Sequence, residues 1–252
     1  MSRMLGGKVA FVTAAGSGIG RAAAELFSGY GAKIAVVDLD GDAASLVAEM
    51  IMQSGGDAIG ITCDVSKETD VKSAVDTTID RWGRIDCAFN NAGLGNREAR
   101  LADLELLDWK VVHEIVVLGT FLCMKYQIPH MINAGGGTIV NTSSNGGRSA
   151  IPLLAPYGAA KAAVVSMTQT TAVEYAPEKI RVNAICPGMI MTPPVRRMLG
   201  ENSGMLQLLQ IPLDRGGEAA EVAELAAWLL SPLSSYITGQ AISVDGGMSA
   251  CQ

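Results

Sequence analysis

The chain is poor in aromatic residues, which fill 5% of its 252 positions, and holds only two histidines, His113 and His130. Neither histidine has a second ligand at metal-binding spacing, so no zinc centre is expected. Its five cysteines, Cys63, Cys87, Cys123, Cys186 and Cys251, are odd in number and include no Cys-x-x-Cys pair. Set mostly in apolar runs, they read as reduced thiols and not as a disulfide framework. Positive charge is in deficit as well, since 19 Lys+Arg against 25 Asp+Glu leaves a net charge of −6. Nucleic acids and anionic membrane surfaces are bound through concentrated positive potential, so neither is expected as a partner. The most apolar long stretch, Ile115 to Met124, is about half the ~20 residues that a bilayer span needs. The opening MSRMLGGKVAFV enters a strand-like run almost at once, without a long apolar leader, and reads as mature cytoplasmic sequence.

What the chain has is rhythm. Short Val/Ile-rich runs, KVAFVT, KIAVVD, DAIGIT, IDCAFN, GGTIVNTS, KIRVNAI and QAISVD, alternate with longer stretches of helical period. Strands that are apolar throughout, joined by helices, belong to a parallel sheet covered on both faces. The expectation is an α/β architecture, a doubly wound sheet of seven parallel strands flanked by helices on both faces. No Pro/Ser linker or repeat divides it, so 1–252 is taken as one domain. The rhythm breaks at 189–217, an insert rich in Met and Leu and expected to serve as a substrate-binding lid.

The first strand runs into Thr13-Ala14-Ala15-Gly16-Ser17-Gly18-Ile19-Gly20 and then a helical segment. Glycines at such a turn let backbone N–H groups approach a pyrophosphate at the helix N-terminus, where the dipole favours anions. The motif is not a full G-x-G-x-x-G, because Arg21 stands in the place of the last glycine. Asp38, at the end of the second strand, follows Gly20 by 18 positions, about where a carboxylate accepts hydrogen bonds from an adenosine ribose. It would repel a 2′-phosphate, and no Lys or Arg lies in the turn to compensate. The pair therefore points to NAD, with NADP as the alternative.

Further along, Tyr157 and Lys161 stand four apart at the start of a helical stretch. That spacing puts them on one face, where an ammonium near a phenol favours its ionised form. Together with TAAGSGIG, Asp38, Cys63-Asp64-Val65, Asn90-Asn91-Ala92-Gly93, the serine upstream of YGAAK, Pro187-Gly188 followed by Thr192, and the terminal Val244-Asp245-Gly246-Gly247, the pair makes the sequence resemble a short-chain dehydrogenase/reductase over essentially its whole length. The resemblance implies a single-domain Rossmann fold and a Ser-Tyr-Lys active site. Tyr157 would exchange a proton with the carbonyl or alcohol oxygen, Lys161 would lower its pKa and hold the ribose, and Ser144 would hydrogen-bond the substrate oxygen. It also implies cofactor contacts from Gly18, Ile19 and Gly20 at the pyrophosphate and from Asp64 and Val65 at the adenine. Asn91 and Gly93 would lie in the central groove, and Ile190 and Thr192 at the nicotinamide.

Two residues depart from the family pattern. Ala14 replaces the usual first glycine; its methyl group is tolerated if φ there is negative, and the expectation is at most a weakened or shifted cofactor fit. Val116 stands where the family has an asparagine that positions a water of the proton relay. Valine has no hydrogen-bonding group and favours a regular helix, so proton exchange is expected through Tyr157, Lys161 and the ribose with a differently anchored water. Because of Val116, a nucleotide-binding protein with impaired catalysis stands as an alternative. Ile151, Leu153 and Leu154 add apolar residues to those of the insert, which suits an alicyclic or steroid-like alcohol or ketone or, equally, simple packing of the lid. Arg148, Arg196 and Arg197 leave room for an anionic group. Val111–Leu118 and the AAKAAVVSM segment are apolar on several sides, and related enzymes associate through these helices, so a homotetramer is expected.

Overall fold

A computed structural model describes residues 4–199 and 211–251. The seven strands are β1 (Val9–Thr13), β2 (Lys33–Asp38), β3 (Asp57–Thr62), β4 (Cys87–Asn90), β5 (Gly137–Thr142), β6 (Ile180–Pro187) and β7 (Ala241–Val244). They pair in parallel in the order β3-β2-β1-β4-β5-β6-β7. The inner strands β1 and β4 are buried along their whole length. Their continuous Val, Ala and Phe runs are what a strand with no wet side requires.

The intervening helices are α1 (Gly18–Gly29), α2 (Gly41–Gln53), α3 (Glu68–Trp82), α4 (Leu106–His113), α5 (Gly119–Asn133), α6 (Ala155–Glu174), α7 (Pro193–Leu199) and α8 (Ala219–Leu230). Side chains alternate along each strand, and the core divides accordingly. On one face Ala10, Val12, Ile34 and Val36 pack with Ala23, Phe27, Val222 and Ala226. On the other, Phe11, Ala35 and Val37 pack with Val71, Val75, Leu122 and Met131. Local capping sets the helix starts: Asp40 accepts from the Asp42 and Ala43 N–H groups at α2, and Glu218 forms a reciprocal box with Glu221 at α8.

Strand order reverses between β1 and β4. The chain leaves β1 toward β2 and β3, then returns to build β4 to β7 on the other side. Loops after β1 and β4 therefore diverge, leaving a crevice at the carboxyl edge of the sheet, the usual ligand site of this architecture.

Candidate active site

The turn after β1 meets that crevice first. Ala14 sits at φ +50°, so the negative φ under which its methyl group would be tolerated without strain is not met. The reason is packing: the Ala14 carbonyl lies directly against Gly20, where any Cβ would overlap it, and this close crossing requires the left-handed turn. Gly18, at φ +54°, leaves no more than van der Waals room beside Thr192, whose Cγ2 would lie 3.4 Å from a Cβ there. Ser17 precedes α1 in extended conformation, its hydroxyl makes no capping bond, and no acidic residue stands in the first turn. The leading N–H groups of α1 are thus the unpaired donors of a helix start, the donor set that fits a pyrophosphate.

Asp38 closes one end of this turn. Its Oδ2 accepts from the Gly16 N–H at 2.8 Å and its Oδ1 from the Asp40 N–H at 3.0 Å. The carboxylate is fixed at the mouth of the crevice with Asp40 and Asp42 nearby in sequence. Asp64 is held by its own loop: Ser66 donates to it from both N–H and hydroxyl. Those bonds, the hydroxyl's first, and the nearby Lys67 hold its carboxyl below the usual range against the opposing effect of burial. Val65 packs on the start of α5, within 2.8 Å of where a Cβ on Gly119 would stand.

Across the crevice, hydrogen bonds join the strand ends. Thr13 Oγ1 accepts from the N–H groups of Asn91 and Ala92 at 2.8 and 3.0 Å. Thr142 donates its hydroxyl to Asn91 Oδ1 at 3.1 Å, and its carbonyl accepts from Lys161 Nζ at 2.7 Å. Ser143, just before Ser144, donates to the Lys161 carbonyl at 2.7 Å. The two threonines had no distinguishing mark in the sequence beyond ending their strands, because threonine is also an ordinary strand former.

Ser144, Tyr157 and Lys161 converge at the end of β5. Tyr157 and Lys161 share one face of α6, with Nζ 5.8 Å from the ring centroid. The ammonium is bonded to the Thr142 carbonyl. Lys161 is 3% exposed, and burial pulls its pKa down to about 8. Burial pushes the Tyr157 phenol up from its ordinary value, and the hydrogen bond with Ser144 opposes that rise. Cys186 on β6 is buried close enough to act electrostatically on both, and burial raises its own pKa. Gly93 faces Lys161 on its other side: a Cβ there would lie 3.1 Å from Nζ and 3.9 Å from Val116 Cγ2.

Val116 is fully buried among Val112, Ala160 and Val164. The regular helix expected there is replaced by a wide π turn over Glu114–Leu118. A π turn displaces backbone carbonyls from the ordinary helical ladder, and here Thr120 donates its hydroxyl to the Val116 carbonyl at 2.7 Å. His113 stacks on Trp109, and Glu114 is exposed.

Ile190 is buried and pairs with Gly217, while the Thr192 N–H turns back onto the Ile190 carbonyl. Of the 189–217 insert, 200–210 lie outside the described residues, and with them Met205, Leu206, Leu208 and Leu209. Ile151, Leu153 and Leu94 are each part-exposed near the mouth of the crevice. Arg196 bonds both oxygens of Glu218 and Arg148 bonds Ala241 and Ser243, while Arg197 is exposed.

Known proteins resemble this chain over nearly its whole length. A family model described as enoyl-(acyl carrier protein) reductase matches residues 13–249. The 2,5-dichloro-2,5-cyclohexadiene-1,4-diol dehydrogenase of Sphingobium indicum is 42% identical over 249 residues, 98% of each chain. The cyclohexanol dehydrogenase of an Acinetobacter strain is 37% identical, covering 98% of this chain and 96% of that one. The crystallised 7α-hydroxysteroid dehydrogenase, complexed with NADH and 7-oxo glycochenodeoxycholic acid, superposes with a TM-score of 0.92 at 32% identity, over 98% of this chain and 96% of the other.

Proposed function

The chain belongs to the short-chain dehydrogenase/reductase family, and from that premise we propose that it moves a hydride between NAD(H) and an apolar, ring-bearing secondary alcohol or its ketone. The observation that carries the reading is a buried Lys161 on one face of α6 with Tyr157, its ammonium 5.8 Å from the phenol ring and bonded to the carbonyl at the end of β5, next to the sheet's topological switch. The nicotinamide, when bound, supplies or accepts the hydride. The rest falls to the chain. Tyr157 gives its hydroxyl proton to the carbonyl oxygen in reduction and takes it from the alcohol in oxidation. Ser144 donates to the same oxygen as charge develops on it. Lys161 stabilises the phenolate by its charge and reaches toward the ribose.

Gly18, Ile19 and Gly20 hold the pyrophosphate on the uncapped α1 terminus, Asp38 takes the adenosine ribose, and Asp64 and Val65 flank the adenine. Asn91 and Gly93 line the central groove, with Ile190 and Thr192 at the carboxamide. The preference for NAD over NADP rests on Asp38, held in place by two backbone donors. The ring-shaped substrate rests on the named activities of the relatives and on the apolar residues Leu94, Ile151 and Leu153. We place the protein in the cytoplasm on its unpaired cysteines, four of the five buried. The exposed Trp109, Leu118 and Phe121 on α4, the π turn and α5 fit assembly into a homotetramer. The chain is read as one domain with 189–217 as its substrate-binding segment, of which 200–210 lie outside the described residues. Val116 favours a second reading, a cofactor binder with little turnover.

The test is absorbance of the reduced nicotinamide, with purified protein, NAD or NADP, and cyclohexanol, a hydroxysteroid and the matching ketones. Turnover with NAD that falls about 10³-fold in Tyr157→Phe, and a cofactor choice relaxed in Asp38→Ala, are expected. Turnover with NADP alone would overturn the cofactor choice, and NAD binding without turnover would establish the second reading.

A further inference from the structure

The helix that carries Tyr157 and Lys161 begins without a cap of its own. Leu154 precedes it and offers no side-chain acceptor, and the helical ladder starts only with the Gly158 N–H on the Leu154 carbonyl. The Tyr157 N–H, one residue earlier, is among the donors that a helix start leaves unpaired. Its acceptor comes from a different part of the chain, Asn96 Oδ1 at 3.2 Å, 61 positions away in the loop after β4.

The same amide reaches the opposite way. Asn96 Nδ2 donates to the Leu153 carbonyl at 3.3 Å and to the Arg97 carbonyl at 2.7 Å. The Leu153 carbonyl also accepts from the Ala99 N–H at 3.2 Å. Leu153 stands at φ +69°, a left-handed conformation that a leucine keeps only where its surroundings hold it. It lies four positions before Tyr157 and two after Ile151, whose Cδ1 lies 2.6 Å from where a Cβ on Gly146 would stand, with Tyr157 Cε1 at 3.5 Å from the same point. The Asn96 loop is anchored in turn, since Arg97 donates to the Asp103 carbonyl and the Asp108 carboxylate.

We propose that Asn96 is a positioning residue with two separable bonds: Oδ1 fixes the start of the catalytic helix at Tyr157, and Nδ2 fixes the strained Leu153 that walls the substrate space. This role rests on the oxidoreductase reading above for its kinetic consequences, but not for its geometry. Aspartate separates the two bonds, because it keeps an acceptor for the Tyr157 N–H and has no donor for the Leu153 carbonyl. Alanine removes both.

The experiment measures three things on the full chain of wild type, Asn96→Ala and Asn96→Asp: thermal unfolding, residue-resolved amide exchange, and kcat and KM for cyclohexanol oxidation with NAD. In Asn96→Ala, exchange at the Tyr157 amide is expected to rise and kcat/KM to fall, each about five-fold or more, the worth of one lost hydrogen bond. In Asn96→Asp, Tyr157 protection and most of kcat are expected to return, while KM stays raised and exchange over 151–154 stays fast. Unchanged Tyr157 exchange in Asn96→Ala would overturn the proposal whether or not the protein is active. So would an Asp variant that matches Ala in every readout, or an Ala variant with lower thermal stability and intact kinetics. A wild type that turns over no alcohol refutes the function while the exchange comparison still decides the role of Asn96.

Discussion

The two edges of the sheet hold polar side chains in opposite ways. At the amino edge Asp86, 4% exposed, accepts from the buried Val9 N–H, from Lys8 and from Arg84. Arg181 donates to the carbonyls of Leu229, Ser231 and Ile237. These groups line a hollow of about 770 Å³ with Tyr236 at its rim, and yet they already bond to one another or to the backbone. At the carboxyl edge Lys161 is equally buried and has one carbonyl partner, and the first turn of α1 has no side-chain acceptor. Buried polar groups that are satisfied internally hold a fold together, and those left short of partners are placed for a ligand. The size of a hollow does not distinguish the two cases, and the hydrogen-bond inventory does.

The largest test of this contrast is Asp86→Ala. It leaves the Val9 N–H buried without an acceptor, while Lys8 and Arg84 are half-exposed and can turn to water. The expected cost is about 2 kcal/mol of stability, read as a lower denaturant midpoint with an unchanged slope. Activity per folded molecule should stay within about two-fold, since Asp86 precedes β4 at the amino edge whereas Tyr157 stands beyond the carboxyl end of β5. A large loss of kcat at full folding would break the comparison.

At the opposite edge, Lys161→Met should do the reverse. Burial lowers the ammonium's pKa to about 8 in the folded protein, against about 10.4 in an unfolded chain. Between those values the unfolded state binds the extra proton, so the stability of the wild type rises with pH across that window and carries its full penalty below pH 8. Methionine carries no charge, so the variant is expected to be more stable at pH 7 by about 1 kcal/mol, after allowing for the hydrogen bond lost at Thr142. That advantage should shrink as pH climbs from 8 toward 10. Unfolding curves of cofactor-free protein at pH 7 and 9.5 measure both, and a methionine variant less stable at pH 7 than the wild type would contradict the cost assigned to burying Lys161.

This contrast also explains which parts of the molecule could be read in advance. The strands were legible because a parallel strand buried on both faces is spelled as an unbroken apolar run, and VAFVT and KIAVVD each became one strand. Tyr157 and Lys161 were legible because their relation is local, one helical turn. The bond from Asn96 to Tyr157 was not, since nothing in the loop after β4 marks which of its polar residues caps a helix 61 positions away. The π turn at Glu114–Leu118 has no Gly or Pro to announce it, so Val116 was read as a residue of a regular helix. The sign of φ at Ala14 could not be read, because a residue type states only a preference, and the contact with Gly20 that accompanies the left-handed turn is tertiary.

Ala14 supplies the finest test. It and Leu153 are both non-glycine residues in left-handed conformation at the carboxyl edge, but they are held differently, Ala14 by the hard approach of Gly20 and Leu153 by hydrogen bonds from Asn96 and Ala99. An alanine at φ +50° carries about 1–2 kcal/mol of strain that glycine lacks, and glycine gives back about half of that through the freer unfolded chain. Ala14→Gly is therefore expected to stabilise by about 0.5–1 kcal/mol, a rise of roughly 1–3 °C in Tm for a chain of this size. Because the Gly20 contact fixes the carbonyl of residue 14 in either case, NAD affinity by calorimetry should change by less than about two-fold. A glycine variant that is less stable would show that the methyl group's packing outweighs its backbone strain, and one that binds NAD much more tightly would show that the methyl itself obstructs the pyrophosphate turn.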